Sequence, residues 1–235
     1  GVVLLLVGLL ATVVLMIVLR WNFVQWLGWV LSGAMLIACL HTGIYGLNFY
    51  AGPLADDVRL NVREYTQEEL EDAVVYYRDK ANNLANMLPR DHLGNLAYPS
   101  FTELAEQAGD GFEALTYDRL YPVFAGSTAP VKELAWADMF TSMGITGVTM
   151  PITGEAAVNP QIPAVGLPFT MCHEMAHRMS IAVERDANFA AFLACRENSN
   201  PEFQYSAYFM AYIFSFNTLN AIQSQAASVA AARIA

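Results

Sequence analysis

Charge is what this sequence has least of. Only 14% of its 235 residues are charged, and 55% are apolar. That balance is too apolar for an ordinary soluble domain of this length and calls for contact with lipid. The deficit is local. Residues 1–55 hold a single charged side chain, Arg20, while all 22 acidic and the other 11 basic residues follow from Asp56 onward. The chain therefore reads as an uncharged anchor over residues 1–50 and an acidic globular domain over 51–235. The net charge of −11 after residue 55 argues against nucleic acid or an anionic membrane surface as partner, since both select for basic patches. Cysteine is scarce too. Three residues, Cys39, Cys172 and Cys195, make no disulfide framework and read as buried free thiols. Internal repeats are missing, and the absence of an initiator Met points to sequence upstream.

What the first 50 residues do contain is two uncharged runs. GVVLLLVGLLATVVLMIVL (1–19) is about long enough to cross a hydrocarbon core of roughly 30 Å at about 1.5 Å per residue. A second run begins at Trp21 and reaches about Tyr50, with its helix expected over about 22–46. Its aromatic residues gather towards the ends, Trp21, Phe23, Trp26 and Trp29, then Tyr45, Phe49 and Tyr50, as interfacial belts do. The two form a transmembrane helical hairpin. A signal peptide is not the expected reading, because no basic n-region or cleavage site is seen and a second span follows directly. Arg20 in the connecting turn places that turn in the cytoplasm and the rest of the chain outside.

The remainder is read as mainly helical with a small β element, an α+β domain. Thr66 with Glu69 and Ser100 with Glu103 are capping boxes, predicting one helix to about Leu88 and a shorter one to about Gly109. Residues 112–121 and 131–142 are expected to be short helices. GITGVTMPITGEAAVNP (144–160), β-branched and punctuated by Gly, reads as strand, turn, strand. The Ala-rich end, 226–235, carries no usable pattern.

The chemistry is concentrated in MCHEMAHRMSIAVERDANFAAFLAC (171–195). On a helix, His173 and His177 lie about 40° apart around the axis and one turn apart along it, so both rings can meet one ion. Glu174, about 60° beyond His177, stands at the edge of the same face. This is the HExxH arrangement of zinc hydrolases, two ligands with a carboxylate able to take a proton from water on the metal. The alternative is a solvated helix with two incidental histidines. A third ligand is needed, and Glu184 and Asp186 are the near acids. If residues 184–195 are helical, Glu184 and Asn188 share a face and Asp186 points away, which favours Glu184 as ligand and Asn188 as its orienting neighbour. In one straight helix Glu184 would sit about 10 Å past His177, so the metal reading requires a break between about Met179 and Val183. No Gly or Pro marks that break, and Ser180 is the pivot. One long helix with Glu184 as a surface acid is the competing reading.

HEMAH followed by ERDAN resembles gluzincin-type metallopeptidases, in which a Glu ligand in an ExxA(D/N) context follows HExxH on a second helix. Glu184, Ala187 and Asn188 occupy that pattern here. GLNFYAGPLA (46–55), GITGVTMPITGEAAVN (144–159), LPFTMCHEMAHRMSIAVERDANFAAFLAC (167–195) and FQYSAYFMA (203–211) are similar to a bacterial domain-of-unknown-function family. Its members carry a few N-terminal transmembrane helices and an extracytoplasmic HExxH domain. The likeness runs from Trp21 to about Asn220. It implies a multi-pass bacterial membrane protein with a gluzincin-like zincin domain and a Zn2+ ion on His173, His177 and Glu184. It names no substrate. Relatives commonly have Gly three residues after the second His, where this chain has Ser180.

The resemblance also implies a strand beside the metal that pairs with an extended substrate, for which Glu155, Ala156, Ala157, Val158 and Asn159 are the candidates. A hairpin that merely covers the core is the alternative. An electrophile beside the zinc is expected as well, with Tyr208 the choice among Tyr205, Tyr208 and Tyr212. His92 reads as a loop residue and His41 as structural. The resulting expectation is a membrane-anchored zinc metallopeptidase acting on peptide or protein, with Glu174 as general base. The other expectation, from a different class, is a non-catalytic membrane scaffold with a structural zinc and with membrane-protein partners recruited through the hairpin.

Overall fold

The structure, a computed structural model, describes residues 2–44, 46–150 and 153–232. Tyr45, Pro151 and Ile152, and residues 233–235 of the Ala-rich end, lie outside the described residues. The chain divides into two compact units, Gly1–Tyr50 and Ala51–Ala235.

The first unit is a pair of helices, α1 (Val2–Val18) and α2 (Phe23–Ile44), followed by a single 3₁₀ turn at Gly46–Tyr50. The reversal uses Arg20 in the left-handed region at φ 53°. Asn22 and Gln25 then cap α2 reciprocally, each side-chain oxygen accepting from the other's backbone N–H at 2.9 and 3.2 Å. The Trp26 indole donates to the Thr12 carbonyl of α1 at 3.1 Å, and Trp21 stacks on Trp29. Among the described residues α2 is the helix with the length and apolarity to cross a bilayer, 22 residues at a mean hydropathy of 1.8 with none buried. Cys39 lies on this helix, and Cys172 and Cys195 in the second unit are buried free thiols as expected.

The second unit is mainly helical. Its elements are α3 (Leu54–Asp57), α4 (Gln67–Ala85), α5 (Phe101–Gln107), α6 (Asp110–Tyr117), β1 (Lys132–Glu133), α7 (Ala137–Ser142), β2 (Gly147–Met150), β3 (Glu155–Val158), α8 (Leu167–Arg178), α9 (Glu184–Glu197) and α10 (Pro201–Ala232). Both capping boxes form, Thr66 with Glu69 and Ser100 with Glu103. α4 stops at Ala85, before the expected Leu88, and α6 runs from residue 110 to 117 instead of 112 to 121. The helix expected over 131–142 is shortened by β1. That two-residue strand exists through pairing with β3, Lys132 opposite Ala157 and Glu133 opposite Val158, which local periodicity cannot reveal.

The sheet has the order β1-β3-β2, with β1 parallel and β2 antiparallel to β3. α8 lies at the centre of the unit. Met171, Cys172, Met175 and Ala176 on it are fully buried, as are Ala187, Ala190, Ala191 and Ala194 on α9. The small residues of α9 permit close approach. A Cβ on Gly111 of α6 would fall 1.9 Å from the Ala194 carbonyl oxygen. Phe112, Leu115, Phe124 and Phe203 complete the core, each buried large side chain contributing about 1.5–3 kcal/mol. At the start of α8 the buried backbone N–H of Phe169, which has no partner within the helix, donates to the Ser206 hydroxyl of α10 at 3.1 Å.

Candidate metal centre

α8 ends where the sequence needs a helix to end. The backbone N–H of Ser180 donates to the His177 carbonyl at 3.0 Å, and that of Ile181 to the Ala176 carbonyl at 3.1 Å. With Ser180 at φ 69°, this is a Schellman turn built on serine in place of the usual glycine. The chain then reverses and α9 begins at Glu184.

The reversal brings three side chains together. His173 Nε2 and His177 Nε2 are 3.0 Å apart, and Glu184 places Oε2 3.3 Å from the first and Oε1 3.4 Å from the second. One further contact fixes the chemistry of this group. His177 Nδ1 donates to the Ile181 carbonyl at 2.8 Å, and since a carbonyl only accepts, the ring proton belongs on Nδ1. His177 Nε2 is thereby left with a lone pair, facing a second imidazole nitrogen and a carboxylate. A proton on His173 Nε2, or a cation among the three, holds such groups together at these distances. The separations match the edge of a zinc tetrahedron, about 3.3 Å for bonds of about 2.0–2.1 Å. The donor set of two imidazoles and a carboxylate also suits that ion. The Glu184 side chain is 74% exposed, so the group opens to solvent on that side.

Burial, with His177 adding to it, holds His173 below the usual imidazole range, against the opposing pull of Glu184 and Asn188. Asn188 thus stands beside His173, although no hydrogen bond of normal geometry reaches the buried His173 Nδ1 among the described residues. Asp186 points away from the trio. Its Oδ2 accepts from the Leu54 N–H at 3.2 Å and caps α3 from a distance.

Glu174 is buried on the other flank of α8, at 5% exposure. The Thr149 hydroxyl of β2 lies 2.7 Å from Glu174 Oε2 and 2.8 Å from the Glu174 carbonyl oxygen, so its single proton serves one at a time. Burial lifts the Glu174 carboxyl above the ordinary range. Thr149 and His177 pull it back, while the Glu184 charge adds to the lift. Gly147 leaves room for the carboxylate, because a Cβ there would be 2.6 Å from Oε1. Sequence reasoning missed both β2 residues. A glycine inside a β-branched strand was the available signal of close approach.

Two expectations are corrected. Glu155, Ala156, Ala157, Val158 and Asn159 do not offer a free strand edge, because β3 is central and Ala157 and Val158 pair on both sides. Ala156 and Val158 face the core, Glu155 pairs with Lys132, and the Asn159 amide is buried, donating to Thr141 Oγ1 at 2.7 Å and the Ile145 carbonyl at 3.2 Å. The outer strand is β2. Tyr208 is likewise not with the trio. Its ring packs edge-on against Phe192 at 5.8 Å and beside Tyr76 and Tyr77 of α4. Phe192 stands about 12 Å along α9 from Glu184. The aromatic stripe of α10 is core packing against α4.

By fold, then, the chain is a helical domain with a three-stranded sheet that presents a His, His, Glu cluster, preceded by an apolar helix pair. It matches, over residues 1–235, the family described as protein of unknown function (DUF3810), and belongs to that family. No curated protein and no solved structure matches it.

Proposed function

We propose that this chain is a membrane-anchored zinc-dependent peptidase of gluzincin type. The observation that carries the reading is the convergence of His173, His177 and Glu184 at 3.0–3.4 Å, with the His177 tautomer set by Ile181. These three residues would hold the ion. Bound zinc would supply Lewis acidity, polarising a carbonyl and making water a nucleophile at neutral pH.

The chain's own groups supply the rest. Glu174, its pKa raised by burial, accepts a proton from the attacking water and returns it to the leaving amine. Thr149 holds that carboxylate against β2. The outer edge of β2, beside Glu174, is where the backbone of an extended peptide can add as a further strand. α1 and α2 anchor the domain as two spans in the cytoplasmic membrane, with the turn at Arg20 on the cytoplasmic side and the metal residues outside.

The test is zinc per chain in detergent-purified protein, measured by elemental mass spectrometry. About one zinc is expected in the wild type, kept in Asp186→Ala and lost in Glu184→Ala. Peptide hydrolysis is expected in the wild type and not in Glu174→Gln, which keeps its zinc. A wild-type chain without metal after zinc is supplied overturns the reading. Zinc without hydrolysis, and cellular effects unchanged by Glu174→Gln, would leave the non-catalytic scaffold with a structural zinc.

A further inference from the structure

We propose that the helix α7 docks on the lipid surface and enters it with Trp136, Met139 and Met143, by apolar insertion into neutral lipid. This rests on α2 as the membrane span of the reading above, and it does not depend on the peptidase chemistry. Helices of globular domains turn their apolar side inward. α7 does the reverse. Its links to the rest of the domain are polar, with the Gln161 amide donating to Asp138 at 2.6 Å, the Thr141 hydroxyl donating to Gln161 Oε1 at 3.0 Å and the Asn159 amide donating to Thr141 Oγ1 at 2.7 Å. No residue of α7 is buried.

The outward side is apolar. Met139 and Met143 follow one another at one helical turn, and Asp138 and Thr141 point about 120° and 180° away from the line between them. Trp136 precedes Met139 by one turn. The side chains of Trp136, Met139 and Met143 belong to residues that are 79%, 47% and 61% exposed. Trp136 also holds its indole out from a left-handed backbone, at φ 56°. Neither an exposed indole nor a left-handed residue with a Cβ stabilises a domain in water. An indole presented in this way calls for an apolar medium to receive it.

The occupant follows from what this face has and what it lacks. Trp places an apolar ring and one N–H donor at the level of lipid headgroups, and Met adapts its unbranched chain to a fluid neighbour. Lys132 is the one basic residue between positions 131 and 150, and it pairs with Glu155, so this stretch brings no free cation to an anionic lipid. A second protein fits poorly, because three side chains fall well short of the roughly 800 Å² per partner that a stable protein interface buries. A bilayer needs no such area. With α2 in the membrane, the domain that starts at Ala51 is tethered to lipid, and docking becomes an intramolecular step at high effective concentration.

The experiment puts the 235-residue chain in phosphatidylcholine nanodiscs and reads nitroxide labels by their collisions with oxygen, which concentrates in lipid, and with a nickel chelate, which stays in water. One label sits on the native Cys39 of α2. Two others sit at Met139→Cys and Met143→Cys in a Cys39→Ala background, where both positions are exposed and the buried Cys172 and Cys195 stay unlabelled. The labels at 139 and 143 should read about 5–10 Å inside the lipid boundary, the depth of an interfacial helix. Adding Trp136→Ala should move the label of Met143→Cys towards water, and replacing part of the phosphatidylcholine by phosphatidylglycerol should leave its depth unchanged. Lipid depth at Cys39 with both α7 labels in water overturns the docking and leaves the span. A Cys39 label in water overturns the span and the docking with it. Labels on α7 that are shielded from both reagents, or broadened by a neighbouring label, mean that another protein or a second copy covers the face, which also overturns the proposal. A depth that Trp136→Ala leaves unchanged, or that grows with phosphatidylglycerol, overturns insertion by these side chains into neutral lipid.

Discussion

His177 donates its Nδ1 proton at 2.8 Å to the carbonyl of Ile181, a residue four positions on and past the turn that ends α8. The turn that brings the ligand helix back is thus the same element that fixes the ring's tautomer. At its apex Ser180 sits at φ 69°, where a Cβ is unfavourable by about 1 kcal/mol relative to glycine. Ser180→Gly should therefore raise the melting temperature of the zinc-loaded chain by roughly 2–4 °C without loss of zinc. Ser180→Val, branched at the same position, should lower it. A thermal melt of the three proteins checks both.

Thr149 should reveal itself in a pH profile. Its hydroxyl lowers the Glu174 pKa, which burial raises. Thr149→Val removes the donor and leaves burial unopposed by it, so the carboxyl rises further. A general base works ionised, so the acid limb of kcat/KM should move to higher pH, with a loss of about tenfold or more below neutrality. Thr149→Ser should restore the wild-type limb, and zinc content should be equal in all three. An unmoved limb in Thr149→Val would remove Thr149 from any role in holding the base.

Much of the fold was legible because it is local. The capping boxes at Thr66 and Ser100, the two apolar runs and the strand-turn-strand stretch each carry their signal within a few residues, and all appear. The cluster of His173, His177 and Glu184 was readable for a similar reason, one helical turn plus one break. What failed was long-range. β1 forms only because β3 is beside it, and its pairing is what puts Glu155–Val158 in the middle of the sheet. Tyr208 is one of three tyrosines on α10, and nothing local to that helix says which of them meets α4. Gly147 and Thr149 belong to the neighbourhood of Glu174 through packing of β2 on α8, and no spacing in the chain encodes that contact.

Gly111 tests the close approach of α6 to α9. A methyl group there would meet the Ala194 carbonyl oxygen at 1.9 Å and its carbon at 2.6 Å, and both are backbone atoms that no rotamer change can move. Gly111→Ala should destabilise the domain by about 3 kcal/mol or prevent its folding, the upper range for overpacking. Denaturant unfolding of the purified chain reads the first outcome, and yield of folded protein the second. Gly144, with nothing within 4 Å of its Cβ position but a φ of 72°, should lose only about 1 kcal/mol as Ala.

Gly147→Ala separates the base from the metal. The added Cβ would stand 2.6 Å from Glu174 Oε1 and 2.7 Å from Cγ, and those atoms belong to a side chain that can rotate away. Folding should therefore survive with a loss of about 1–3 kcal/mol. The Glu174 carboxylate, however, should be pushed off Thr149 and out of line for proton transfer. The three atoms nearest that methyl position all belong to Glu174, so zinc per chain should stay at the wild-type value. Hydrolysis should fall by about 100-fold, the scale of removing a positioned general base. Loss of zinc with loss of activity would instead mean that β2 supports the whole metal cluster. Full activity in a folded Gly147→Ala chain would show that Glu174 does its work from a different rotamer.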